Sequence, residues 1–256
     1  IRTASTPTTS SSGHFTPGDC PSPSNWRRVT VAGAVVLCLA ASLPLAAKNG
    51  PPQHYQQTNL VSDVPGLAPA TDSHLVNPWG LARSATSPWW AADNGTGVST
   101  LYNGTGGILP LVVTVPATSG TAAPTGVVFN GSATDFLVAP GLPARFIFAT
   151  EEGTISAWNS GTSAVIKVPA SGAVYKGLTI GQNNGANLLY AANFAGGTVD
   201  VFDTGYLPGD LGSNAFKDWQ VPGDYAPVNV QNMDGSHYVT FAREEAGSID
   251  ELDGRG

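Results

Sequence analysis

A pattern that returns about every fifty residues constrains this chain more than any other feature of its sequence. Each of three successive copies contains a glycine in a short apolar run, then a second apolar run, then an alternating run that ends in an aromatic residue. The glycines are Gly80, Gly126 and Gly177, at spacings of 46 and 51 residues. Self-similarity at this period is typical of folds that stack copies of one structural unit.

Each copy predicts the same series of four short strands. In the second copy these are the glycine-containing run 124–129, the run 145–150 with its apolar centre at 146–149, and the alternating run 154–158, followed by a turn. A fourth run comes next and is followed directly by proline in every copy, at 109–115, 164–168 and 215–221. Four strands in each repeat of this length predict an all-β fold, a β-propeller of four-stranded blades. A two-sheet sandwich is the alternative.

The composition agrees with an all-β protein that is rich in turns. Gly (31) and Pro (20) are abundant, and hydrophobic residues make up 41% of the chain, which is enough to build a core. Only 11% of the residues are charged, and the net charge is −7. Because nucleic-acid binding relies on basic surfaces, this balance predicts no nucleic-acid partner.

Two segments precede the repeats. Residues 1–25 are rich in Ser, Thr and Pro without apolar periodicity, which predicts disorder. Residues 26–47 contain an arginine pair, an uncharged apolar run and an Ala-Ala end, the pattern of a signal peptide with one hydrophobic helix. A membrane anchor is the alternative; cleavage would leave no stable membrane span. Both cysteines, Cys20 and Cys38, precede residues 48–256, the predicted partial propeller domain.

Six further segments of the chain are distinctive, namely 55–66, 72–82, 191–194, 199–203, 216–217 and 225–230. Together they resemble an uncharacterised family of exported, mainly bacterial proteins. The resemblance covers roughly residues 55–243. It implies a six-bladed propeller related in architecture to the NHL and gluconolactonase-like groups, and no established activity. It also implies a fragment truncated at its C-terminus, with about three and a half to four blades present.

Side chains that follow the second strand of successive copies are the candidate metal ligands. They are Asp93, Glu151, Asn193 and Glu244. If the blades bring these oxygens together, they could hold Ca²⁺, a possible cofactor that would act as a Lewis acid. Glu151 beside Glu152 is also a weak candidate for the general base, because neighbouring carboxylates raise one pKa. The alternative is that these residues bind only backbone groups and water.

The candidate ligand-binding residues surround the first inner strand. Trp79 directly precedes Gly80 and could stack on a sugar or another ring in an axial channel, although core packing is the alternative. His74 could be oriented by Asp72, and Asn77 lies in the same segment. The alternative for Asp72 is a turn in which its carboxylate accepts hydrogen bonds from backbone amides.

These observations predict an exported propeller, periplasmic or extracellular, that acts as a binding or scaffold module. Its partners would be a small molecule, a glycan or an envelope protein, and the full-length protein would be a monomer. A Ca²⁺-assisted hydrolase or lyase of the gluconolactonase-like type is the alternative function. A third possibility is an envelope or matrix protein that uses the propeller for protein contacts. No familiar catalytic motif is present, so whether the chain is an enzyme stays open.

Overall fold

The computed structural model describes residues 56–245, 248 and 250–252 of the chain. These residues form eighteen strands and no helix, which confirms the all-β prediction. The predicted disordered segment and signal peptide lie outside the described residues. Among the residues that are described, no helix is long and apolar enough to cross a membrane.

The first part of the described chain contains a short parallel pair and a four-stranded antiparallel sheet. The pair is β1 (Val61–Ser62) and β2 (Ala70–Thr71). The sheet follows in chain order as β3 (Pro78–Ala82), β4 (Trp89–Asp93), β5 (Val98–Tyr102) and β6 (Val113–Thr114). Each strand therefore pairs with the strand next to it in the sequence, as the repeat predicts.

The second sheet has the same antiparallel order, with a small hairpin inserted after its first strand. The strands of the sheet are β7 (Pro124–Phe129), β10 (Phe146–Thr150), β11 (Ile155–Trp158) and β12 (Val165–Val168). The hairpin consists of β8 (Leu137–Ala139) and β9 (Leu142–Pro143). The predicted runs of the second copy thus coincide with strands to within one or two residues.

The third sheet repeats the arrangement, and a two-stranded sheet follows it. The strands are β13 (Tyr175–Asn183), β14 (Ala186–Asn193), β15 (Thr198–Phe202) and β16 (Pro208–Gly209), then the pair β17 (Tyr225–Met233) and β18 (Ser236–Arg243). The fourth strand was expected at 215–221 and instead lies at Pro208–Gly209, where Val201 pairs with Gly209. A tight turn that begins at Asp203 brings the chain back to β15 before it reaches the predicted run.

The inner strands β3, β7, β13 and β17 approach one another at the repeated glycines. A Cβ atom on Gly80 would lie 2.5 Å from the Thr125 carbonyl oxygen, and one on Gly126 would lie 2.5 Å from Leu178 Cβ. A Cβ atom on Gly177 would collide with Asn229 in the same way. The glycines are therefore required by the close contact between successive sheets.

The sheets pack face to face, and the second sheet is buried on both sides. Along β10, Phe146 and Phe148 pack with Trp90 of the first sheet. The alternate residue Ile147 belongs to the core shared with Leu189 of the third sheet. This double burial explains why charged residues are scarce in the repeats. The described residues form no closed ring of sheets, so the complete propeller stays a prediction.

Candidate functional site

Polar side chains from three sheets form a hydrogen-bonded chain at one end of the inner strands. Asn77 begins it just before β3, where the backbone has a left-handed φ of 49°, and its Nδ2 donates to Asn94 Oδ1 at 3.1 Å. Asn94 Nδ2 donates to Glu151 Oε2, also at 3.1 Å. Lys176 Nζ completes the chain by donating to Glu151 Oε1 at 2.6 Å. We define these four residues as the polar chain.

Lys176 is the only cation in the polar chain, and its side chain is 1% exposed. Besides Glu151, its ammonium lies 3.3 Å from Asp250 Oδ1 and 3.4 Å from Glu251 Oε2. Burial by itself would lower the pKa of Lys176, but these carboxylates outweigh it and raise the pKa above its usual value. Lys176 is therefore held as a charged ammonium.

Trp79 lies beside this ammonium and is 37% exposed. Lys176 Nζ lies 5.1 Å from the centroid of the Trp79 ring, within the range of a cation–π contact. Both residues line a cleft of about 230 Å³ that follows the inner strands and is also lined by Asn229 and Gln231. The cleft combines an accessible aromatic surface with amide donors and acceptors, the chemistry of a site for a small polar ligand. We call it the Trp79 cleft.

His74 lies outside the polar chain, in a cluster around Asp72. Asp72 Oδ1 accepts a hydrogen bond from the backbone N–H of His74 at 2.9 Å and lies 3.1 Å from its Nδ1. The Tyr102 hydroxyl donates to Asp72 Oδ2 at 2.9 Å. Burial would raise the pKa of Asp72, but these hydrogen bonds lower it overall. Asp72 Oδ1 therefore accepts from the turn and also lies within hydrogen-bonding distance of the imidazole, while a ligand-binding role for His74 stays a prediction.

Asp93 is fully buried at the end of β4. Its Oδ2 accepts a hydrogen bond from Thr100 Oγ1 at 2.7 Å, and its Oδ1 has no partner among the described residues. Burial raises the pKa of Asp93 to about 7, and the nearby Asp72 carboxylate adds to the rise. Asp93 therefore forms part of the interior, and it makes no contact with the polar chain through these oxygens.

Asn193 and Glu244 have partners of their own. Asn193 Nδ2 donates to Asp200 Oδ2 at 2.9 Å, and its Oδ1 accepts from two backbone amides. Glu244 pairs through its backbone with Glu251 in an isolated antiparallel bridge. Across the described part of the chain, no group of three or more His, Cys, Asp or Glu side chains is arranged to hold a metal ion. The calcium site stays a prediction.

The structure thus brings together Asn77, Trp79 and Glu151 of the predicted residues. The residues that connect them, Asn94 and Lys176, were not predicted from the sequence. A signal for Lys176 does exist, because it precedes Gly177 as Trp79 precedes Gly80, and the two therefore occupy the same position in their copies. Trp79 lies on β3 and Lys176 on β13, with β7 between these two inner strands, and the long Lys176 side chain extends until its ammonium lies 5.1 Å from the centroid of the Trp79 ring.

Comparison with known proteins gives relatives without an assigned activity. No family model matches the chain. Two uncharacterized proteins of Acanthamoeba polyphaga mimivirus are 27% identical to it over 205 and 200 residues, which is 73% of this chain in each case and 48% and 52% of theirs. The chain therefore spans about half the length of the curated relatives it matches.

Among solved structures, a protein of unknown function from Bacteroides caccae is similar with a TM-score of 0.38 and 12% sequence identity. The similarity covers 68% of this chain and 59% of that protein.

Proposed function

We propose that this chain is part of an exported β-propeller that works as a binding module. Three successive four-stranded sheets with neighbouring inner strands support the propeller, because a blade is a four-stranded antiparallel sheet whose first strand lies nearest the axis. The pattern of residues 26–47 supports export. The resemblance to exported six-bladed proteins agrees with both.

The observation that carries the binding function is the accessible Trp79 ring in its cleft. An exposed indole offers a flat apolar surface, while Asn229, Gln231 and the polar chain offer amide and carboxylate groups beside it. Amides both donate and accept hydrogen bonds, so they suit hydroxyl groups, which do the same. The apolar face of a sugar ring can stack on an indole. The ligand we propose is a glycan or another small polyhydroxylated molecule.

A binding experiment with the full chain tests this function. The probe is a panel of immobilised neutral oligosaccharides, and the readout is the apparent Kd of each one that is captured. Trp79→Ala is expected to weaken capture about tenfold or more, because it removes the stacking surface. The matched control is Trp219→Ala, since Trp219 is 81% exposed and does not line the cleft.

Two results would contradict the proposal. The first is that no member of the panel binds, and the second is that Trp79→Ala and Trp219→Ala weaken binding equally.

Export is tested separately, by sequencing the N-terminus of the protein recovered from outside the producing cell. Cleavage close to Lys48 is expected, and an N-terminus that is still at Ile1 would contradict it.

The metal-assisted hydrolase stays an alternative prediction. Its predicted ligands Asp93, Asn193 and Glu244 make local contacts, and no specific observation favours it over ligand binding.

A further inference from the structure

Three short segments of the chain have the pattern Asn-x-Ser/Thr, in which x is not proline. They are Asn94-Gly-Thr96, Asn103-Gly-Thr105 and Asn130-Gly-Ser132. In exported proteins this pattern is the acceptor of N-glycosylation, which attaches a glycan to the side-chain nitrogen of the asparagine. Asn-Gly is also a common turn dipeptide, so the surroundings of each side chain must distinguish an acceptor from an ordinary turn.

The Asn130 side chain is enclosed by the fold and fully engaged. Asn130 is 4% exposed, and its Nδ2 donates to the carbonyl oxygens of Asp135 and Ala144, both at 3.0 Å. The Ser132 hydroxyl accepts hydrogen bonds from the backbone N–H groups of Thr134 and Asp135. A glycan on Asn130 Nδ2 would break the hydrogen bonds of a buried amide, so modification there would disrupt this part of the second sheet.

The Asn94 side chain already has a place in the polar chain. Its Nδ2 donates to Glu151 Oε2 at 3.1 Å, and its Oδ1 accepts from Asn77 Nδ2. The Thr96 hydroxyl donates to the His74 carbonyl oxygen at 2.6 Å. A glycan on Asn94 Nδ2 would compete with Glu151 for the space beside this nitrogen.

The Asn103 side chain is exposed, in the turn directly after β5. Its Oδ1 accepts from the Thr105 hydroxyl at 2.8 Å and from the N–H groups of Thr105 and Gly107 at 2.9 and 2.8 Å. Its Nδ2 makes no hydrogen bond with the residues that the structure describes. A Cβ atom on Gly107 would collide with this nitrogen, so the glycine keeps that side of the amide uncovered. The turn therefore fixes the amide through its oxygen and leaves its nitrogen available.

The hydroxyl group completes the distinction. The acceptor pattern requires a hydroxyl two residues after the asparagine. In the described part of the chain, Thr105 is the one hydroxyl of the three that bonds to the amide of its own asparagine. Exposure, an available nitrogen and a hydroxyl in contact with the amide therefore coincide at Asn103.

We propose that Asn103 is N-glycosylated when this chain passes through a secretory pathway that carries out this reaction, an inference that rests on the export proposed above. The donor is an oligosaccharide joined to a lipid through pyrophosphate, and the transferase of the producing cell is the catalyst. A bond forms between Asn103 Nδ2 and the anomeric carbon of the first sugar, and the bond from that carbon to the pyrophosphate oxygen breaks. The amide loses one proton, and the lipid pyrophosphate leaves with the electron pair of the broken bond.

The position of Asn103 gives the glycan a consequence for the surface. Two apolar residues at this turn are exposed, Ile108 by 46% and Leu60 by 41%. Ile108 pairs with Tyr102, and Leu60 lies against Gly106. A bulky, hydrated glycan would shield this apolar surface from other molecules. Asn103 does not line the Trp79 cleft, so the glycan leaves that cleft open.

The test expresses the full chain in cultured mammalian cells. A second version carries the signal peptide of a host protein in front of Ile1, so that its entry into the pathway does not depend on residues 26–47. Protein from the medium is treated with peptide-N-glycosidase in H₂¹⁸O, which releases the glycan and labels the residue that carried it, and mass spectrometry locates the label. We expect the label at Asn103 alone. Asn103→Gln and Thr105→Ala should each lose the glycan, whereas Thr105→Ser should keep it.

The matched controls are Thr96→Ala and Ser132→Ala, which remove the other two patterns and should keep the glycan on Asn103. If Asn103→Gln does not fold, Thr105→Ala still decides the question, because the two backbone hydrogen bonds to Asn103 Oδ1 remain.

Exported protein without a glycan would overturn the proposal, and so would a label at Asn94 or Asn130 or a glycan that persists in Thr105→Ala. Failure of export has a different signature, because only the version with the host signal peptide would then reach the medium, and the glycan on that version would still support Asn103. Removing the glycan should leave the apparent Kd for ligands of the Trp79 cleft unchanged.

Discussion

At the scale of single residues, Lys176 departs furthest from the behaviour expected of its type. Lysine is almost never fully buried unless it is paired, and the Lys176 side chain is 1% exposed. Glu151 supplies the closest partner at 2.6 Å, and the Trp79 ring covers another side of the ammonium. One cation therefore holds together groups from three sheets, and it fixes the position of the ring that we propose as the binding surface.

Removing this cation should destabilise the fold. In Lys176→Met, the Glu151 carboxylate loses its main partner while Asp250 and Glu251 remain nearby. The free energy of unfolding, measured by urea denaturation, should fall by about 3 kcal/mol, since an uncompensated charge remains in a largely buried place. Adding Glu151→Gln to Lys176→Met should recover part of the loss. A double variant that shows the full sum of the two single losses would contradict the pairing.

His237 is a second residue whose surroundings determine its chemistry. Its ring lies 4.1 Å from the Tyr190 ring and 6.1 Å from the Phe216 ring, and its Nε2 is buried without a partner among the described residues. Burial lowers the pKa of His237 below its ordinary value of 6.5. Protonation therefore favours the unfolded chain, in which the imidazole is hydrated.

The stability contributed by neutral His237 should be present above pH 6.5 and lost as the pH falls toward the lower pKa of the folded state. Between about pH 7.5 and about pH 5, the free energy of unfolding should fall less in His237→Gln than in the parent chain. Parallel pH profiles for the parent and His237→Gln would show that this histidine is not responsible.

At the scale of the elements, the inner strands depend on glycine because each one touches the next. At Gly126, the nearest atoms to an added Cβ would be Leu178 Cβ at 2.5 Å and Leu178 N at 2.6 Å. The second of these is a backbone atom, so a rotamer change cannot relieve the contact. The repeated glycine is therefore required because neighbouring sheets approach so closely that no Cβ atom fits between them. This close approach is a tertiary property, and the sequence indicates it through the repeated glycine.

Gly126→Ala should lower stability by about 1–3 kcal/mol, the usual cost of overpacking a tight contact. For a domain of this size, that corresponds to a fall in Tm of about 2–4 °C for each kcal/mol, measured by thermal unfolding. Gly223→Ala is the control, because no atom lies within 4 Å of its added Cβ. If the two alanine variants unfold at the same temperature, successive inner strands are not packed as closely as described.

At the scale of the whole molecule, sheets stacked on both faces explain the unusual composition. A strand such as β10 has no face toward water, so its residues are apolar throughout and the chain carries few charges. The proposed binding site, the Trp79 cleft, lies along the inner strands. Because the chain spans about half of its mimivirus relatives, the activity of a whole protein of this kind stays a proposal.

Much of the fold could be predicted because its signals are local. Alternating or continuous apolar runs, turn residues and the returning glycine identified the all-β class and nearly every strand of the three sheets. The fourth strand of the third sheet is the exception. The run 215–221 is predicted as the fourth strand of its copy because it ends at a proline like the others, but the shorter turn after β15 lets Pro208–Gly209 pair with that strand instead. Both 208–209 and 215–221 follow β15 and could pair with its free edge, and local strand propensity does not determine which of the two does so.

The candidate site could be predicted only in part, for a related physical reason. The sequence by itself determined which residues precede each inner glycine and therefore placed Trp79 beside Gly80 on the first inner strand. It left open whether the Trp79 ring packs in the core, and the structure shows the ring 37% exposed. Only the tertiary structure decided that Glu151 joins Asn94 and Lys176, which are 57 and 25 residues away, while Asp93 is sealed in the interior. Strand periodicity fixes which face a side chain takes, but its partners depend on how far neighbouring sheets are rotated and how closely they stack.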